Sequence, residues 1–475
     1  MKNYEIFGDD NLHEECGVFG IYDKSNTLDV ARLTYYGLYA IQHRGQESCG
    51  IAVNNKDEDG NIQLLHYKDT GLIQEVFNDL VLRGLTGYAA VGHVRAAIAR
   101  DRGRENAQPL VTRYQKGTFS LVFNGSLVNA DEIREELSEQ GAIFHTTTDC
   151  EVIAFLLARE RINTKSTAEA LKKVMERIRG AYSLVVMTPK RMVVARDPQG
   201  FRPLCVGRLG DAWVFSSETC GLDSVNAKFE KDVEPGEIIV VDESGMYSDK
   251  SMCGKNTSLC VFEYIYFARP DSIIEGQSVH GARLNAGRFL AKESPVDADI
   301  VIGVPDSGLD AALGYSYESG IPYAVGFIKN RYIGRTFIQP TQAEREAALR
   351  IKLNAMRESV EGKRVVMVDD SIVRGTTSKR IVNLLREAGA TEVHVRISSP
   401  PFLNPCYFGT DIDNRDKLIA CQMTLEETRK QIGADSLAYL SINAMQNLAP
   451  KCKLGCCDAC FTGNYPVYVP AEDNK

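Results

Sequence analysis

The chain has 475 residues, with 55 basic against 63 acidic side chains and a net charge of −8. Roughly 150 residues per domain makes about three units the prior, and 44% hydrophobic with 25% charged residues is a globular composition that excludes disordered, collagen-like and coiled-coil chains. The mild acidity argues against a nucleic-acid binder held by a basic face, and no apolar stretch approaches the roughly 20 residues of a membrane helix.

Residues 1–15 hold five acids and one lysine and lack the basic start and apolar run of a secretory signal. A cytoplasmic protein is therefore expected. Disulfides are rare there, so most of the 13 cysteines are expected as free thiols, with a few serving as metal ligands or a nucleophile. From residue 16 to about 245, apolar runs such as CGVFGIY, CGIAV, FSLVFNG, YSLVVM, RMVVA and EIIVV read as strands. Ala31–Gln42 and Glu151–Leu157 have helical spacing, which makes this region an α+β unit. The polar stretch Gly245–Ser258 reads as a linker. Beyond it, ADIVIGV (298–304), PYAVGFI, KRVVMVDD (363–370) and TEVHVRISSPP (391–401) read as strands alternating with helices. That is the pattern of a parallel α/β sheet. The region from Leu448 onward is rich in Cys, Gly and Pro and cannot be a domain alone. The expected division is 1–15, 16–245, 246–447 and 448–475.

The segment VVMVDDSIVRGTTS (365–378) carries the most specific chemistry. A buried strand ends in Asp369 and Asp370, and a short turn opens a helix. Its N-terminal N–H groups and dipole suit a phosphate. Gly375 lets the backbone close in, and Thr376 and Thr377 add hydroxyl donors. Paired acids beside a phosphate cradle suit sugar hydroxyls and Mg²⁺. The string resembles the signature of the type I phosphoribosyltransferases, which bind 5-phosphoribosyl 1-pyrophosphate (PRPP). The resemblance implies that Asp369 and Asp370 hold the ribose hydroxyls and Mg²⁺, and that Arg374, Gly375, Thr376 and Thr377 hold the 5′-phosphate. GVPDSGLDAA (303–312) resembles the family's pyrophosphate loop, with Asp306 and Ser307 near the diphosphate and Ser307 near Mg²⁺. GFIKNRYIGRTFIQP (326–340) resembles its closing loop. Lys329 and Arg331 there either clasp the pyrophosphate or are solvated loop charges.

At the other end, Cys16 begins CGVFGIY. It is followed in order by IQHRGQESCGI, GHVRAAIARDRGRENAQP, FNGSLVN and HTTTDCEVI. Together these resemble the glutaminase domain of the N-terminal-nucleophile (Ntn) amidotransferases, an αββα sandwich. The resemblance implies that a propeptide, residues 1–15, is removed. Cys16 then has a thiol and an α-amine of pKa roughly 7.7–8 that serves as its base. By the same resemblance Arg95 and Asp149, with Arg44 and Gly45 in the same loop set, bind glutamine, and Asn124 with the Gly125 N–H forms the oxyanion hole. Asp149 also reads as a helix N-cap, and Asn124-Gly125 as a hairpin turn. Ala96, Ile98, Arg100 and Phe123 depart from the family pattern.

Cys260, Cys406, Cys457 and Cys460 match cysteine positions in an iron–sulfur subgroup of the same amidotransferases. That subgroup carries a [4Fe–4S] cluster, and four distant thiolates suffice for one. Zn²⁺ fits four cysteines equally by ligand type, and Cys452 and Cys456 leave the register open. Read whole, from Cys16 to about Pro466, the chain resembles the amidophosphoribosyltransferase family. That implies glutamine and PRPP as substrates, Mg²⁺, ammonia passed between domains, purine nucleotides as feedback inhibitors, a homotetramer, and neither nucleic acid nor membrane as partner. Two alternatives stay open. One is a glutaminase-impaired, ammonia-using enzyme. The other is a PRPP-sensing regulator, which requires a DNA-binding domain and a basic patch that the sequence does not display.

Overall fold

The computed structural model describes residues 16–57, 59–96, 103–330, 353–410, 412 and 414–469. The leader 1–15, Ile98, Arg100 and Arg331 lie outside the described residues.

The first half is built on two antiparallel sheets, one of seven strands and one of six. In the first, Gly17–Tyr22 is central, between Ala89–Arg95 and Ala212–Ser216. In the second, Gly117–Leu127 and Gly180–Thr188 run side by side. Strand alternation sorts the apolar side chains into three layers. Val18, Tyr22, Val91, Val122 and Val185 fill the space between the sheets. Phe19, Ile21 and Val94 face the helix Val30–Ala40. Leu121, Phe123 and Leu184 face the helices Asp149–Ile162 and Thr167–Arg177. The central strands are thus buried on both faces, which is why they read as unbroken apolar runs rather than alternating ones. The layers are the expected α–β–β–α sandwich.

Two details of the sequence reading change. Gly245–Asp249 is not linker: it pairs with Ile238–Asp242 as the edge strand of the six-stranded sheet. The first domain's sheet therefore continues past the expected boundary at 245. PYAVGFI does not enter the second domain's sheet as a full strand. It contributes one bridge, Tyr323 to Val301, and then a short strand, Phe327–Lys329, that pairs with Leu353–Ala355.

That second sheet has four parallel strands, Ile300–Gly303, Arg364–Asp369, Glu392–Ile397 and Ser436–Tyr439. Helices Val279–Glu293 and Gly308–Ser319 supply one core, with Ala282, Ala286, Ala311 and Tyr315 against Val301, Val366 and Val368. Helix Thr376–Glu387 supplies the other, with Ile381, Val382 and Leu385 against Val365, Met367 and Val395. The tail is not free-standing, as expected: Cys456–Cys457 pairs in parallel with Leu259–Cys260.

Candidate active site

Cys16 precedes the central strand of the seven-stranded sheet. By alternation it shares a face with Val18 and Tyr22, so it points into the layer between the sheets. Arg95 follows Val91 and His93 on the same face of its strand, and Asn124 follows Val122 on the facing sheet. Three residues from three segments thus meet in one layer. The Cys16 thiol reaches the Ala96 carbonyl at 3.7 Å.

Asn124 is fully buried, and among the described residues neither amide atom of its side chain finds a hydrogen-bond partner. Buried polar groups are nearly always paired, so an orphaned carboxamide beside a thiol suits a group that forms only during a reaction. The next residue, Gly125, has φ of 143°, and a Cβ there would sit 2.0 Å from the Ala181 carbonyl oxygen. No side chain fits there, and Asn124-Gly125 is not a hairpin turn: both lie within the strand Gly117–Leu127, paired with Ser183 and Tyr182. Gly45 is fixed in the same way: a Cβ would lie 2.5 Å from the Arg95 backbone carbon. Asp149 opens its helix one residue after the N-cap, Thr148, and accepts the Leu127 N–H at 2.8 Å. That bond ties the helix end to the strand carrying Asn124.

Two further groups brace this strand. Gln108 bonds the Phe123 backbone reciprocally, accepting its N–H at 2.7 Å and donating to its carbonyl at 3.3 Å. His93, pushed down to about 3 by burial, is neutral and donates from Nε2 to the same carbonyl at 2.9 Å. The Phe123 side chain lies in the helix-facing core. This departure from the family pattern therefore points away from Cys16.

Arg44 departs from expectation. Its side chain has no exposed surface and sits behind Cys16, with Nε donating to the Cys16 carbonyl at 3.2 Å. Its guanidinium pairs with Glu218 at 2.7 Å and with both Glu263 oxygens at 2.7 and 2.9 Å. Burial alone would raise the Glu218 carboxyl, yet His43 and Arg44 hold it well below the usual carboxylate range. The Arg44 side chain thus belongs to a buried ionic core that packs against the Cys16 backbone.

In the second domain the expected residues converge at the carboxyl ends of the parallel strands, where such sheets bind ligands. Asp369 ends its strand, and Asp370 accepts hydrogen bonds from the Ser307 and Ser371 hydroxyls. Burial raises both carboxyls above the ordinary range, and the Asp370 charge raises Asp369 further. Ser307 caps the helix Gly308–Ser319. At Gly308 a Cβ would fall 2.6 Å from the Val368 carbonyl oxygen, so the start of this helix touches the end of the Arg364–Asp369 strand through backbone. Gly375, at φ of 81°, caps the helix that begins with Thr376 and Thr377. Asp306 forms an ion pair with Lys329, which joins two sequence-separated candidates. Two carboxylates and a hydroxyl fit a magnesium ion that takes its other ligands from water and substrate phosphates.

Cys260, Cys406, Cys457 and Cys460 line one cavity together with Phe201, Phe402 and Phe408, whereas Cys452 and Cys456 are not in its lining. The Phe408 N–H donates to the Cys406 sulfur at 3.4 Å. Burial pushes the Cys457 thiol up to about 12 and holds Cys460 well above the usual thiol range. Among the described residues no three His, Cys, Asp or Glu side chains converge on a single ion. Four thiols lining one largely apolar cavity are a donor set of the kind that holds an iron–sulfur cluster. No helix among the described residues is long and apolar enough to cross a membrane.

The chain matches two domain families in order, the glutamine amidotransferase domain at residues 93–224 and the phosphoribosyl transferase domain at 280–398. It is 50% identical to the amidophosphoribosyltransferase of Bacillus subtilis over 96% of this chain and 95% of that one. Against the Methanocaldococcus jannaschii amidophosphoribosyltransferase identity is 48%, covering 96% and 98%. A solved structure of the allosteric regulatory enzyme of purine biosynthesis superposes with a TM-score of 0.89 at 49% identity, covering 96% of this chain and 97% of that one. The B. subtilis glutamine PRPP amidotransferase complexed with ADP and GMP gives 0.88 at 48%, covering 96% and 98%. With both domains in order and half the residues shared along nearly the whole length, the chain belongs to the amidophosphoribosyltransferases, the enzymes that open purine biosynthesis.

Proposed function

We propose that the two sites divide the family reaction, PRPP plus glutamine plus water giving 5-phosphoribosylamine, glutamate and diphosphate. Once residues 1–15 are removed, the Cys16 α-amine takes the thiol proton and the sulfur attacks the glutamine amide carbon. The Asn124 carboxamide and the Gly125 N–H hold the oxygen that becomes negative, and such donors act only on the charge that develops. The amine returns its proton to the leaving nitrogen, which departs as ammonia, and water then hydrolyses the thioester. Arg95 binds the glutamine carboxylate and Asp149 its amino group, with Gly45 in the same loop set. The observation that carries this half is Asn124, buried with its amide unpartnered.

Ammonia passes to the second domain and displaces diphosphate from C1 of PRPP. Asp369 and Asp370 hold the ribose hydroxyls, and Arg374, Gly375, Thr376 and Thr377 hold the 5′-phosphate. Asp306, Ser307, Lys329 and Arg331 contact the diphosphate. Ser307, Asp369 and Asp370 would hold Mg²⁺, which when bound neutralises charge on the leaving group. Cys260, Cys406, Cys457 and Cys460 would hold a [4Fe–4S] cluster, structural because neither half-reaction transfers electrons. Purine nucleotides inhibit, as nucleotide binding in the B. subtilis relative suggests, and the assembly is a homotetramer in the cytoplasm. The deciding experiment is glutamine-dependent diphosphate release with and without PRPP, alongside the same assay with ammonium. Turnover from ammonium alone would favour the glutaminase-impaired alternative.

A further inference from the structure

The ionic core behind Cys16 is supplied partly by the second domain. Glu263 lies beyond Asp249, where the first domain's sheet ends. It opens a five-residue π-helix, Glu263–Phe267, whose Tyr264, Ile265 and Phe267 pack with Val279, Ala282 and Val366 in the second domain's core. Arg283, on a helix of that core, holds the far end of this turn. Its Nε donates to the Tyr264 carbonyl at 2.9 Å, and its Nη2 to the carbonyls of Tyr266 and Ala268 at 2.9 and 2.8 Å. The π-helix is thus anchored in one domain and presents its carboxylate to the other.

We propose that Glu263 is a positioning residue for the glutamine half-reaction. Both its oxygens grip the Arg44 guanidinium, and Arg44 in turn holds the Cys16 carbonyl. The carbonyl fixes the backbone torsion of Cys16, and with it the directions of thiol and α-amine. Removing one carboxylate from a buried cluster frees its cation to shift, and displacing a reacting group by about 1 Å lowers a rate by roughly a hundredfold. The nucleophile's geometry therefore depends on the domain that consumes its product. The inference rests on Cys16 being the nucleophile.

The test compares the full-length enzyme with Glu263→Gln, Glu263→Asp and Cys16→Ala, measuring phosphoribosylamine formation from glutamine and from ammonium. Glu263→Gln is expected to lower kcat with glutamine about tenfold while the glutamine KM and the ammonium-dependent rate stay within about twofold. Glu263→Asp, which keeps the charge, is expected to recover part of the loss. Equal losses from both nitrogen sources, a rise in glutamine KM at unchanged kcat, or no change at all would overturn the inference. Cys16→Ala separates the two levels. If it retains glutamine use, the reading of the nucleophile falls. If it is inactive with glutamine while Glu263→Gln is unaffected, the positioning role alone falls.

Discussion

The two sites on this chain hold their polar groups in opposite ways. Around Cys16 the protein leaves the Asn124 carboxamide unpartnered and invests its hydrogen bonds in the backbone behind it, through Gln108, His93 and Arg44. At the ends of the parallel strands it does the reverse. Asp370 is bound to Ser307 and Ser371, and Asp306 to Lys329. The first site offers a rigid frame with one open demand. On the proposed function, the second exchanges these internal partners for sugar, phosphate and metal, so its ligands bind by substitution. The difference matches the chemistry. A transient oxyanion needs donors already in place, whereas PRPP is a stable polyanion that can displace weaker contacts.

The largest test of this contrast is Cys16→Ala. It should reduce glutamine-dependent phosphoribosylamine formation by more than about a thousandfold while ammonium-dependent formation persists. Next comes Asp369→Asn with Asp370→Asn, expected to lower turnover from both nitrogen sources by about a hundredfold or more. Full ammonium-dependent turnover would show that these acids do not hold the sugar and metal. Asn124→Ala sharpens the comparison. It should lower kcat with glutamine by about a hundredfold yet leave Tm unchanged, because no intramolecular hydrogen bond is lost. A fall in Tm would mean that the amide is already engaged. The smallest effect is expected for Lys329→Ala: a KM for PRPP raised about tenfold, with stability altered by no more than about 0.5 kcal/mol because the Asp306 pair is exposed.

How much of this was readable in advance depended on sequence distance. VVMVDDSIVRGTTS is contiguous, so strand, acids, glycine cap and helix could be placed together, and the structure puts them there. The four cysteines were recognisable by resemblance, although only folding shows that Cys452 and Cys456 stay outside the cavity. The ion pairs of Arg44 were not legible because its partners Glu218 and Glu263 lie 174 and 219 residues away. Glu263 did stand in VFEYIYFA, where a lone acid amid apolar and aromatic residues signals a buried partner. Phe123 drew attention as a departure, yet its effect depends on which face it takes, and alternation sends it to the helix side. Gly245–Asp249 was mistaken for linker because an exposed edge strand is polar and carries little apolar pattern.

The parallel pairing of Leu259–Cys260 with Cys456–Cys457 has a consequence for biosynthesis. Both large sheets can form as the chain emerges, since domains fold as units during synthesis. The thiol cavity cannot close until Cys460, near the last described residues, has left the ribosome. Any metal group held by these four thiols is thereby loaded at the end of maturation, on a polypeptide whose domains are already standing. A ribosome that stalls before Cys457 releases a chain with two of the four sulfurs missing and without the pairing that joins the tail to Leu259–Cys260.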